Sequence, residues 1–113
     1  MKARIPGAQN GQSRNQMLQQ VQRAQEEMQN LQAAHEETEF TGTAAGGQVT
    51  VVVDGKHTVR QVKIAPEIID PEDAEMLEDL VTVAVNDAIG KAVKDYDEKM
   101  GAITGGLNLP GLF

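Results

Sequence analysis

Gln48-Val49-Thr50-Val51-Val52-Val53-Asp54-Gly55-Lys56-His57-Thr58-Val59-Arg60-Gln61-Val62-Lys63-Ile64 is the stretch whose reading decides the fold. Val49, Val51 and Val53 recur every second residue and so share one face of a strand. Asp54-Gly55 predicts a two-residue hairpin turn, because those residue types accept the positive φ that a primed turn demands. A third strand follows over about His57 to Ile64. Its apolar phase shifts between Val59 and Val62/Ile64, which predicts a bulge. Upstream, Glu37 to Thr43 carries Thr38, Phe40, Thr41 and Thr43, and Ala44-Ala45-Gly46-Gly47 can turn the chain back. The expectation is a three-stranded antiparallel meander.

Helical periodicity flanks this sheet. Met17, Val21, Ala24, Met28 and Leu31 alternate spacings of four and three, a heptad seam on a Gln-rich helix over about residues 14 to 36. So thin a Met/Leu stripe predicts self-association or a protein partner more than burial in a core. Residues 1 to 13, with Pro6, Gly7, Asn10 and Gly11, read as a flexible basic arm. After Pro66, Asp70 is placed as N-cap and Pro71 as the first residue of a second helix. Leu77, Leu80, Val81, Ala84, Ala88, Ala92, Val93 and Tyr96 line it, and Gly101 is placed as its C-terminal cap. About 29 residues at 1.5 Å each make roughly 43 Å, longer than the ~35 Å diameter of a compact monomer, so its end should protrude or meet a partner. Gly90 within it is expected to mark a close approach of another backbone. Residues 102 to 113 form a Gly-rich tail with Leu107, Leu109, Leu112 and Phe113 as apolar anchors, leaving 14–101 as a single α+β domain.

Composition narrows the function. The 113 residues include no Cys and no Trp, which excludes thiolate metal sites and cysteine nucleophiles and fits a cytoplasmic protein. No apolar run approaches a membrane span. His35 and His57 lack partners at ligand spacing, so neither a metal site nor a cofactor nor an enzyme is expected. The net charge of −7 is unevenly spread: residues 1 to 25 hold Lys2, Arg4, Arg14 and Arg23 with no acid, whereas residues 65 to 90 hold eight acids and no base. A polyanion would therefore meet only part of the surface.

The order helix, three strands, long helix, with Val21-Gln22-Arg23-Ala24-Gln25-Glu26-Glu27-Met28-Gln29, resembles the YbaB/EbfC family of bacterial nucleoid-associated proteins. Glu75-Met76-Leu77-Glu78-Asp79-Leu80-Val81, then Asn86-Asp87-Ala88, and the ending Gly106-Leu107-Asn108-Leu109-Pro110-Gly111 carry the closest likeness. The resemblance implies an intertwined homodimer whose helices project like tweezers and bind double-stranded DNA. It maps the binding surface to Arg14, Arg23, Lys91 and Lys94, with Lys2 and Arg4 reaching from the arm. Family members commonly carry lysines where this chain has Gln19, Glu27 and Asn30. The function implied is low-specificity DNA binding that organises the nucleoid and modulates expression. A small acidic dimeric chaperone or adaptor, binding protein through the Met/Leu seam or the tail, is the alternative.

Overall fold

The computed structural model describes residues 4–107, and side chains over 14–105. Its elements are α1 (Arg4–Glu37), β1 (Glu39–Ala44), β2 (Val49–Asp54), β3 (Val59–Ile64) and α2 (Ala74–Leu107). The sheet is antiparallel in the order β1-β2-β3, an α+β fold with the expected meander. Val49, Val51 and Val53 are fully buried on its inner face, against Ala84 and Ala88 of α2.

Gly42 explains how closely α2 lies. A Cβ built on Gly42 would collide with the carbonyl oxygen of Ala84 and the amide of Ala88. Backbone therefore rests on backbone where β1 meets α2, and the alanines on the helix keep the same side of the contact thin. Gly55 does the same at a second junction, where a Cβ would strike the backbone of His35 at the end of α1. Gly90, by contrast, has open space where its Cβ would stand. The close approach expected there belongs to Gly42 and Gly55, whose strand and turn settings gave no helical-propensity signal.

The bulge in β3 is present, between Val52 and Val53 of the partner strand. The hairpin, however, is not the two-residue turn expected. His57 N–H donates to the Asp54 carbonyl and Asp54 N–H to the Thr58 carbonyl, so Gly55-Lys56-His57 form a three-residue loop. His57, at φ 67°, takes the left-handed position that Gly55 was expected to supply. Asp54 fixes this loop from within: its buried carboxylate accepts from Lys56 N–H, Thr58 N–H and Arg60 Nε at 2.9–3.0 Å.

The helices differ from expectation at their ends. α1 starts at Arg4, not Arg14, with Pro6 in the first turn, where a missing N–H costs nothing. α2 starts at Ala74: Asp73 caps it through Met76 N–H, whereas Asp70 closes a preceding turn through Glu72 N–H. Two aspartates three residues apart offered the same signal, and the later one takes the cap. Gly101 does not end α2, which continues to Leu107. Lys2 and the tail residues Leu109, Leu112 and Phe113 lie outside the described residues.

α2 outruns the sheet, as its length predicted, and its second half packs on α1. The seam supplies that contact: among the described residues of α1, Val21, Ala24, Met28, Leu31 and His35 are buried or half-buried, with Glu36 beside them, while Met17 and Leu18 stay exposed. Most of the Met/Leu stripe expected to seek a partner thus meets a helix of its own chain. The result is a two-helix arm on a small sheet, with a longest dimension of 88 Å.

Gly42→Ala should lower stability by about 1–3 kcal/mol, because the added methyl forces α2 off the sheet. Gly90→Ala should raise it by about 0.5–1 kcal/mol through helix propensity. Urea denaturation of both checks the opposite signs. The Thr58 N–H holds the Asp54 carboxyl below its ordinary value of 3.8; burial opposes this, and Lys56 N–H and Arg60 add to the lowering. A carboxyl depressed in the folded state stabilises above its unfolded value and loses that contribution as pH falls through the folded one. Asp54→Asn should therefore lower the melting temperature at pH 7 and shrink the loss between pH 4 and pH 2.

Candidate nucleic-acid interface

Charge on the two helices is organised differently. Along α2 each described lysine has an acid one turn away: Lys91 Nζ lies 3.3 Å from Asp87, Lys94 Nζ 4.0 Å from Glu98, and Lys99 Nζ 3.1 Å from Asp95. Such exposed i,i+4 pairs are weak individually, but they leave this surface without a net positive stripe. On the outer part of α1, from Arg14 to Gln25, there is no acid at all. Arg14 and Arg23 are exposed there, with no carboxylate within ion-pair distance among the described residues.

The two arginines do not share one face. Nine residues separate them, which is roughly 180° around a helix and about 13.5 Å along it. Arg14 prolongs the seam one heptad before Val21; Arg23 points away from the seam and borders a shallow depression with Gln19, Gln22 and Glu26. One α1 helix therefore offers a single arginine to each side. Among the other expected contacts, Lys94 is well exposed, and Arg4 opens α1. Lys91 is committed elsewhere: its Nζ donates to the Thr41 carbonyl at 2.9 Å. Asp87, its partner, accepts from Thr43 N–H at 3.0 Å. That N–H, more than the Lys91 ammonium beside it, holds the Asp87 carboxyl below its ordinary value, with burial opposing.

The hairpin carries cations as well. Lys56, Arg60 and Lys63 fall within eight residues that contain no acid, a signal available from the sequence. Arg60 is paired with Asp54; Lys56 and Lys63 have no carboxylate within ion-pair distance among the described residues. Lys56 and His57 also border a cavity of about 320 Å³ with Gln32, His35, Tyr96 and Asp97. His35 is buried between the rings of Phe40 and Tyr96, and its Nδ1 is 3.8 Å from Asp95, too far for a hydrogen bond. Among the described residues no group of three or more His, Asp or Glu side chains can hold a metal. No helix there is long and apolar enough to cross a membrane.

Two long helices on a three-stranded antiparallel sheet define a protein of mixed α and β structure whose acid-free surface is the outer part of α1. The chain belongs to the YbaB/EbfC DNA-binding family, which matches residues 10–107. It is 47% identical over 109 residues to a nucleoid-associated protein of Alkaliphilus metalliredigens, with 96% of each chain covered. A nucleoid-associated protein of Clostridium kluyveri is 44% identical over the same coverage. The fold is also similar to the crystal structure of an uncharacterized protein of Helicobacter pylori, with a TM-score of 0.62 over 75% of this chain and 89% of that one, at 20% identity.

Because Arg14 and Arg23 are exposed and unpaired, Arg14→Glu with Arg23→Glu should leave stability within about 0.5 kcal/mol of the parent. Thermal unfolding followed by circular dichroism checks this before any binding measurement is interpreted.

Proposed function

We propose that this chain binds double-stranded DNA as a homodimer with little sequence preference, in the bacterial nucleoid, where it helps organise DNA and modulate expression. The observation that carries the reading is the acid-free outer half of α1 in a chain of the DNA-binding family. Its Arg14 and Arg23 are set to contact phosphates, with Lys2 and Arg4 ahead of them and Lys94 on α2 a lesser contributor. Phosphate contacts position a protein without reading bases, which accounts for low specificity. Lys91 drops out of the contact set, since its ammonium is engaged by Thr41 and Asp87.

The dimer is supported by what the chain leaves uncovered. Val59 and Val62 pair with Val53 and Val51 and so share the inner face, yet they are 45% and 43% exposed. α2 lies chiefly over β1 and β2. The only large side chains fully buried among the described residues are three valines, a thin core for a stable monomer of this length. A second copy covering β3 would complete the layer. Two copies would also place arginines of two arms on one duplex, which the opposed faces of a single α1 do not achieve.

Light scattering should give about 24 kDa, twice the chain mass of 12.2 kDa. Val59→Glu with Val62→Glu should yield a folded monomer, since both residues are already exposed within the chain. In gel-shift titrations on random duplex, log K should fall against log salt with a slope of roughly −4 to −5, for about four to six phosphates neutralised per dimer. Arg14→Glu with Arg23→Glu should abolish most binding on every sequence alike. Salt-independent binding, or full binding by that folded variant, would overturn the reading.

A further inference from the structure

β1 is an edge strand, and two of its outward backbone groups are already occupied. Phe40, Gly42 and Ala44 pair with Val53, Val51 and Val49 on β2, and Thr41 and Thr43 alternate with them. The Thr41 carbonyl accepts from Lys91 Nζ and the Thr43 N–H donates to Asp87 Oδ2. These two backbone groups flank Gly42. In a parallel ladder, one residue of a neighbouring strand donates its N–H to the first and accepts from the second. Asp87 and Lys91, one helical turn apart and 3.3 Å from each other, supply the same acceptor and donor from side chains.

We propose that Asp87 and Lys91 act as a surrogate strand that closes the β1 edge against pairing with a second copy of this chain. The partner excluded is identified by register. An antiparallel pairing of two β1 edges about a two-fold axis at Gly42 sets Thr41 of each copy opposite Thr43 of the other. In that pairing the Thr41 carbonyl accepts from the opposing Thr43 N–H, so it needs the same two atoms that the clasp occupies. The strand Glu39-Phe40-Thr41-Gly42-Thr43-Ala44 suits such pairing: it carries one charge, no proline, and threonines that pair well across strands. An open edge of this kind is a template for uncontrolled association. Gly42 is what brings the clasp within reach, because α2 rests on its backbone and its next exposed turn overhangs the edge. The inference concerns β1 alone and is independent of DNA binding and of whether β3 carries a dimer.

The test is Asp87→Ala with Lys91→Ala in the full chain, compared with the parent by light scattering across concentration. Over about 10 µM to 1 mM the parent should keep one mass, while the double variant, with the far-UV spectrum of the parent, should rise to at least about twice that mass. Adding Thr43→Pro removes the N–H that the new pairing requires while sparing the β2 ladder, since that N–H faces outward. The triple variant should return to the parent mass. A double variant of constant mass, growth that Thr43→Pro leaves in place, or a double variant that fails to fold would each overturn the proposal.

Discussion

Everything in this structure depends on the contact between the backbone of α2 and the backbone of β1 at Gly42. No side chain separates the Ala84 carbonyl and the Ala88 amide from the strand, so helix and sheet meet at the shortest distance the fold permits. That contact sets which faces of α2 look at the sheet and which look past its edge. Ala84 and Ala88 go inward with Val49, Val51 and Val53; Asp87 and Lys91 go to the rim of β1. It also fixes the direction in which the rest of α2 leaves the sheet, and therefore where α1 must run to bury its seam. The fully buried centre is accordingly valine and alanine, with larger side chains such as Phe40, Leu80 and Ile89 packed half-buried around it.

From the same geometry comes the division of charge. α2 is used twice, as the cover of the sheet and as the support of α1, and its lysines sit beside acids one turn away. Among its described residues α1 is packed along its seam, and the part nearest the amino terminus is free of acid. A chain with a net charge of −7 can thus present a local cationic surface, because the acids are concentrated on the second helix and its approach.

Much of this was legible in the sequence because the signals were periodic. Alternating valines announced the buried strand, the phase slip between Val59 and Val62 announced the bulge, and spacings of three and four announced both helices. The inaccuracies fall where a competing local signal or a tertiary contact decided the outcome. Asp54-Gly55 has the composition of a tight turn, but Asp54 is held by three donors and Gly55 is consumed by its contact with His35, so His57 takes the positive φ. Asp70 and Asp73 both look like caps. For Lys91 the fold adds what the sequence does not show, a strand edge within reach of its ammonium. The division of Arg14 and Arg23 between opposite faces follows from helix arithmetic alone and was available from the start.

On the proposed reading a duplex lies chiefly on the outer half of α1, with Lys94 the lesser contact from α2. Backbone amide chemical-shift mapping of the labelled full chain, titrated with a random-sequence duplex at low salt, tests it directly. Perturbations are expected to cluster on residues 14 to 25 and to be reversed by added salt, with α2 little changed apart from the neighbourhood of Lys94. Perturbations concentrated on α2, with α1 silent, would contradict it.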